Sequence, residues 1–235
     1  MAKMVGLSRN IKLQWLNKVV ELEQEDLTTE ERKEQLNEYL SFEIGSPTVL
    51  RKTREILMNI WEYENDYSAK LREEGLSLIA KYPENRVAIH WCMLLAAYPV
   101  FVDLCKMIGK MSEFTDEITL KQIKEKIFDE WGERSTLFHS IDKIISTLKD
   151  LGVLSCDKPG RYHISKQEVN NQAVVSFMIY AIMLIDDAGY YTFQELKELV
   201  YLFPFEYQLS KEQLMEDSRF TMNNFGGELS VTLAE

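Results

Sequence analysis

Cysteine is scarce in this 235-residue sequence, and the spacing of its three thiols does not suggest a disulfide framework. Cys92, Cys105 and Cys156 are odd in number and widely separated, which favours reduced thiols in the cytoplasm. The three histidines and three cysteines also lack the ligand spacing of a zinc site. We therefore expect neither a metal nor another cofactor.

Long apolar runs are also missing from the sequence. The longest strongly apolar run, residues 173–185, is shorter than the roughly 20 residues that a membrane-spanning helix needs. Residues 1–11 are polar and contain no apolar segment typical of a secretory signal peptide. The sequence therefore predicts a cytoplasmic protein that has no membrane partner.

Short catalytic motifs are lacking too, including phosphate-binding glycine loops, nucleophile elbows and metalloprotease motifs. The adjacent acidic pairs Glu73-Glu74 and Asp186-Asp187 would point in different directions on a helix, which disfavours paired catalytic carboxylates. His90 lies in an apolar segment without a second ligand, so we expect a hydrogen-bonded core histidine. These absences favour a protein that is not an enzyme and has no small-molecule substrate.

Acidic residues dominate the chain, which carries a formal net charge of −11, but they are unevenly distributed. Residues 119–167 contain nine Lys/Arg and seven Asp/Glu, a balance of +2. Residues 168–235 contain three Lys/Arg and eleven Asp/Glu, a balance of −8. The acidic C-terminal part would repel DNA, so we expect it to face away or to bind a protein.

The slightly basic segment has the pattern of a winged helix-turn-helix. Thr119 can cap a helix over 120–131, and a second helix is expected from Ser135 to Leu151 between two glycines. A short hairpin follows, with a turn at Asp157-Lys158-Pro159-Gly160. Two helices, a tight connection and a hairpin are typical of modules that bind duplex DNA or another protein.

The second of these helices would be the recognition helix, whose N-terminal residues contact base edges in DNA-binding modules. The wing would present cations to phosphates. The alternative is a winged helix used only for protein contacts or packing, because Glu130, Glu133, Asp142 and Asp157 lie among the basic residues. The candidate DNA-contacting residues of the helix and wing are Arg134, Ser135, Thr136, His139, Ser140, Lys143, Lys158 and Arg161.

A second basic face is predicted near the N-terminus. Ser46-Pro47 is a strong helix start, and the helix would run to about Tyr63. Arg51, Lys52 and Arg54 form its basic side and are further DNA-binding candidates, with Arg9 and Lys12 as possible extensions. A solvated helix face is the plainer alternative.

The predicted fold is mainly α, with a helical N-terminal bundle, a central winged helix-turn-helix and a small α+β C-terminal region. The boundaries are 1–117, 118–166 and 167–235, and the last part ends in a β-hairpin or strand. Within it, an apolar helix is expected over 167–187, and the Thr192/Glu195 capping box predicts a helix that ends before Pro204. Phe205 and Tyr207 are the best candidates for a protein interface in an aromatic group that is otherwise expected in the core.

Residues 46–154 also carry a family resemblance. The resemblance is based on Ser46-Pro47 with Arg51 and Arg54, the segment Ala97-Tyr98-Pro99 with Phe101 and Asp103, and the stretches 131–136 and 148–154. In these features the chain resembles the BrxA-type accessory proteins of bacterial BREX bacteriophage-resistance systems. The resemblance implies a small, mostly helical, non-enzymatic protein that binds DNA through winged-helix-like elements.

Two functions are therefore expected from the sequence. The first is a DNA-binding accessory protein of a bacterial antiviral defence system, which binds double-stranded DNA with weak sequence preference and acts with other defence-system proteins. The second is a protein-interaction scaffold whose winged helix binds a partner protein rather than DNA.

Overall fold

The fold is mainly helical, as the sequence predicts. The computed structural model describes residues 6–186, 188–225 and 228–234. Its α-helices are α1 (Leu13–Glu23), α2 (Thr29–Ser41), α3 (Pro47–Trp61), α4 (Ser68–Lys81), α5 (Arg86–Ala97), α6 (Pro99–Ser112), α7 (Leu120–Trp131), α8 (Ser135–Asp150), α9 (Gln172–Asp186) and α10 (Lys211–Glu216). Its strands are β1 (Ile118–Thr119), β2 (Leu154–Lys158), β3 (Arg161–Ile164), β4 (Gln167–Val169), β5 (Tyr191–Thr192), β6 (Phe205–Tyr207), β7 (Phe220–Phe225) and β8 (Glu228–Leu233).

The N-terminal bundle is built around α5, whose side chains from Ala88 to Ala96 are all buried. This helix packs against α3, α4, α6 and α9. Pro99 begins α6 directly after α5 because proline fits the first turn of a helix, where its missing N–H is not needed. Pro99 therefore separates two largely buried helices.

Local capping signals account for several helix starts. Thr28 and Glu31 form the capping box that opens α2, and Thr119 and Gln122 form another that opens α7. Helix α3 begins at Pro47 as predicted, although Ser46 makes no side-chain capping hydrogen bond with a described residue. Proline at the first position is thus the effective start signal there.

The C-terminal region differs from the prediction in two places. Residues Gln167–Val169 form β4, paired in parallel with β6, so α9 begins at Gln172 rather than at Gln167. The hydrogen bonds of the Thr192/Glu195 capping box are present, but two short 3-10 turns, Glu195–Lys197 and Val200–Leu202, follow instead of an α-helix. The buried run 201–205 then contains Pro204, which has no N–H to extend a helix.

The predicted terminal hairpin is confirmed. Strands β7 and β8 pair antiparallel from Phe220 opposite Leu233 to Phe225 opposite Glu228, and β5 pairs on the other edge of β8. Residues 226 and 227, between these strands, lie outside the described residues, as does Asp187 of the adjacent acidic pair Asp186-Asp187. No helix in the described ranges has both the length and the apolar character needed to cross a membrane.

His90 is a fully buried polar residue inside the bundle. The indole N–H of Trp61 donates to His90 Nδ1 at 3.1 Å, so the ring proton lies on Nε2 and is donated to Asn17 Oδ1 at 3.0 Å. Burial disfavours the charged ring and lowers the pKa of His90 to about 3. The prediction of a hydrogen-bonded core histidine is confirmed.

Two carboxyl groups meet where α1 and α3 end. The side chains of Glu23 and Glu62 are only 6% and 10% exposed, and Arg32 of α2 lies 3.9 Å and 2.7 Å from them. Burial and the hydrogen bond that protonated Glu23 donates to Glu62 raise the pKa of Glu23 to about 8. Burial raises the pKa of Glu62 too, but hydrogen bonds from Glu23, Thr29 and Arg32 outweigh it and hold that pKa low. At neutral pH the pair therefore shares one proton, which resides on Glu23.

These two sites predict how stability depends on pH. His90 binds a proton more weakly when folded, so its contribution is lost as pH falls from about 6.5 toward 3. Glu23 binds a proton more strongly when folded, so its contribution is lost as pH rises from about 4.5 through 8. In each of these pH ranges, the slope of the free energy of unfolding against pH should approach about 1.4 kcal/mol per pH unit. Chemical unfolding of Glu23→Gln across this range should show a smaller loss of stability with rising pH than the wild type shows. An equal loss in the variant and the wild type would contradict the shared proton.

A close backbone approach provides a second stability prediction. A Cβ atom on Gly109 of α6 would lie 2.0 Å from the carbonyl oxygen of Val200. Gly109→Ala should therefore push this segment off α6 and lower the free energy of unfolding by about 3 kcal/mol or more. Gly45→Ala is the control, because a Cβ there has no neighbour within 4 Å. Equal unfolding midpoints for the two variants in urea would refute the tight contact.

Candidate nucleic-acid interface

The winged unit consists of α6, β1, α7, α8, β2 and β3 in chain order. Its sheet has the order β1-β3-β2, with Thr119 opposite Arg161 and Leu154 opposite Ile164. Helix α6 packs against both β1 and α7, so it supplies the first helix of the unit while it also packs against α5. Sequence patterns did not indicate that α6 belongs to both the winged unit and the bundle, because its pattern is also that of an ordinary bundle helix.

Helix α8 has one buried side and one exposed side. Ser135, Thr136 and His139 are exposed, and Lys143 is half-buried, so these four candidates lie on or beside the solvent-facing surface. Ser140 is only 3% exposed, and its predicted role in DNA contact is wrong. It lies three and four residues from Leu137 and Ile144, which places it on their core-facing side of the helix.

The N-terminal turn of α8 is open to a negatively charged group. Arg134 occupies the cap position without capping the helix through its side chain, and the first turn, which is fully described, contains no acidic residue. The first N–H groups of a helix have no partner within the helix and carry a partial positive charge. The guanidinium of Arg134 lies 5.9 Å from the ring of Trp131, whose indole N–H donates to Asp103 of α6 at 2.7 Å.

The wing is short and is held against the start of α7. Gly160 has φ +75°, which suits glycine in the tight turn between β2 and β3. Its carbonyl oxygen accepts a hydrogen bond from Leu120 N at 2.9 Å. The exposed Lys158 therefore lies near the first turn of α7 rather than on an arm that projects away from the unit.

Acidic residues surround Arg161 and His163 of the wing. Arg161 forms an ion pair with Glu117, which precedes β1. His163 Nε2 lies 3.7 Å from a carboxylate oxygen of Asp157 and 3.9 Å from one of Glu117. These contacts reduce the positive potential of the wing, so Arg161 is a weaker phosphate ligand than its charge alone suggests.

A cation and an aromatic ring connect α7 to α8, and no sequence pattern indicated either residue. The ammonium of Lys124 lies 3.5 Å from the ring centroid of Phe138 and 2.7 Å from a carboxylate oxygen of Asp142. Phe138 stacks on Phe128 yet is still 42% exposed. This arrangement depends on the angle between the two helices, which residue spacing within either helix cannot reveal.

The basic face of α3 is only partly available to a ligand. Arg51 and Lys52 are exposed, and neither forms an ion pair within the described part of the chain. Arg54 is committed to its neighbours, because its Nε donates to Glu55 at 2.9 Å and its Nη1 donates to Asn37 at 3.2 Å. Because these hydrogen bonds hold the guanidinium of Arg54 within the protein, it is less available to a DNA phosphate than Arg51 and Lys52 are.

The two aromatic residues proposed for a protein interface belong to the core. Phe205 is buried with its ring 5.5 Å from the ring of Trp91. The hydroxyl of Tyr207 donates to the carbonyl oxygen of Leu196 at 2.7 Å. The prediction is therefore wrong for Phe205, whereas Tyr207 is half-buried with its hydroxyl bonded within the protein.

The described residues contain no group of three or more His, Cys, Asp or Glu side chains placed to hold a metal ion. Cys92 and Cys105 are buried, and burial raises the pKa of both thiols, which disfavours the reactive thiolate. Comparison with known proteins finds no matching family model, no matching curated protein and no matching solved structure.

The Lys124 contact can be tested through stability. Lys124→Met keeps the length of the side chain but removes the charge, which leaves Asp142 without this ion pair. Unfolding in urea should show a loss of about 1 kcal/mol, because the ammonium also contacts the Phe138 ring. Lys121→Met removes an exposed pair with Glu125 and should change stability by less than about 0.5 kcal/mol. Equal effects of the two substitutions would argue against the inter-helix contact.

Proposed function

We propose that this protein binds duplex DNA through the winged unit, with the first turn of α8 at the centre of the contact. One observation carries the proposal: an uncapped helix start, bearing the exposed Ser135, Thr136 and His139, lies in a winged unit. Backbone N–H groups and short hydroxyls are suitable donors for a phosphate or a base edge. Lys143 and Lys158 supply nearby cations.

The proposed binding is weak and depends mainly on the DNA backbone. The cations of the unit are interspersed with carboxylates, and Arg161 is already paired with Glu117. Few phosphates would therefore be neutralised, which limits both affinity and its dependence on salt. Sequence preference is expected to be small, because Ser140 is buried and cannot contact a base edge.

The biological role we propose is that of a non-enzymatic accessory protein in a bacterial BREX-like antiviral system. Support comes from the resemblance of residues 46–154 to the BrxA-type proteins. In this role the protein would act in the cytoplasm with other defence-system proteins, and the C-terminal part, with its balance of −8, would bind a protein rather than DNA.

A protein-binding winged unit is the second candidate, and Phe138 favours it. A ring that is 42% exposed on the recognition helix could anchor a partner protein. This candidate predicts no affinity for DNA at physiological salt.

Fluorescence anisotropy of a labelled duplex of about 30 bp, at low and near-physiological salt, tests the proposal. Thr136→Glu is the decisive variant, because a carboxylate in the first turn stabilises a helix but repels a phosphate. We expect DNA affinity to fall at least about tenfold, while the unfolding midpoint stays equal or rises.

Ala173→Glu is a matched control. Ala173 is exposed at the second position of α9, as Thr136 is in α8, and the substitution adds the same charge. It should leave DNA affinity nearly unchanged. Wild-type protein that does not bind the duplex at low salt would favour the protein-binding candidate, and equal losses for both variants would mean that overall charge alone governs binding.

A further inference from the structure

A basic depression of about 500 Å³ lies between the N-terminal segment and α3. Arg51 and Lys52 line it together with Ser8, Asn59 and Tyr63. The two cations are adjacent in the sequence and exposed, and neither has an ion-pair partner among the described residues. In a chain with a net charge of −11, such a pair is an unusual concentration of unneutralised positive charge.

The carboxylate of Glu55 also lines the depression, but this carboxylate already has hydrogen-bond partners within the protein. It accepts hydrogen bonds from Arg54 Nε and from the Tyr63 hydroxyl, both at 2.9 Å. Although burial raises the pKa of Glu55, these hydrogen bonds outweigh it and hold that pKa below its usual range. Glu55 therefore stays charged and balanced by Arg54, so Arg51 and Lys52 give the depression a net positive charge.

The other lining groups suit an anion of phosphate size. The hydroxyl of Ser8 and the amide of Asn59 can donate hydrogen bonds, and Arg51 can offer the two parallel N–H donors of its guanidinium. Ile56 and the Tyr98 ring contribute apolar surface to the same depression. Electrostatic attraction at such a partly apolar surface is screened less than in open water.

The N-terminal segment connects this depression to the recognition helix. Ile11 N donates to Thr147 Oγ1 of α8 at 2.8 Å, and the Asn10 amide lies 3.5 Å from a carboxylate oxygen of Asp150. Ser8 is two residues before Asn10, and two residues of extended chain span at most about 7 Å. The depression is therefore adjacent to the last turn of α8, where Lys149 is exposed.

We propose that Arg51 and Lys52 form a second phosphate-binding site, which takes a backbone phosphate of the duplex that the winged unit binds. This inference rests on the proposed function. Lys143 lies along α8 between its first turn and the depression, so one further cation accompanies the two contacts, and Asp150 is the side chain that faces the N-terminal segment. The second site adds affinity at any DNA sequence, because a phosphate contact carries no base information.

The salt dependence of DNA binding tests this site. Removing both charges in Arg51→Gln/Lys52→Gln should lower affinity about tenfold and should reduce the slope of log K against log salt by about 0.9, because one phosphate contact is lost. The exchange Arg51→Lys/Lys52→Arg keeps both charges and should keep the slope. Lys70→Gln/Lys81→Gln removes two exposed cations from α4 and should also leave the slope unchanged. Thermal unfolding of each variant checks that it is folded.

The outcomes separate the two proposals. A reduced slope for Arg51→Gln/Lys52→Gln alone supports the second site. If the wild type binds DNA and this variant has the same slope, the second site is refuted while the winged contact stands. If Arg51→Gln/Lys52→Gln abolishes binding and Thr136→Glu has no effect, the depression is not a second contact and the winged proposal fails. A wild type that does not bind DNA overturns both.

Discussion

The packing of α6 is the constraint on which the rest of the structure depends. One side of this helix packs against α5, and another supports β1 and α7 of the winged unit. At Gly109 the missing side chain lets the backbone at Val200 approach, which brings the C-terminal region onto the same helix. The hydrogen bond from Trp131 to Asp103 fixes the end of α7, and hence the start of α8, relative to α6. The candidate interface is therefore positioned by the core of the bundle.

Features that depend on neighbouring residues could be predicted from the sequence. The Thr28 and Thr119 caps and the break at Pro99 require only a few consecutive residues and the fixed geometry of a helix terminus. The exposed side of α8 was predicted for the same reason, because helical periodicity separates Thr136 and His139 from the core. The error at Ser140 arose at the edge of that pattern, where a small polar residue can lie on either side.

Features that depend on distant residues could not be predicted in this way. The parallel pairing of Gln167 with Phe205 and the ion pair of Arg161 with Glu117 join positions that only the tertiary fold brings together. Pairing in the folded state also removes Arg54 from the basic face of α3. Residue counts therefore overestimated the charge available to DNA, because a cation that is paired within the protein adds little attraction for a phosphate.

The strongly acidic character of the chain is compatible with the proposed binding and would help to orient it. A field that is negative over most of the surface repels a duplex except where unpaired cations and a helix N-terminus face solvent. Lys158 and Lys143 lie in the winged unit, and the depression lined by Arg51 and Lys52 lies near the last turn of α8. Because the C-terminal part carries a balance of −8, it would not attract a duplex. The charge distribution would thus define one DNA-facing side even though no single contact is strong.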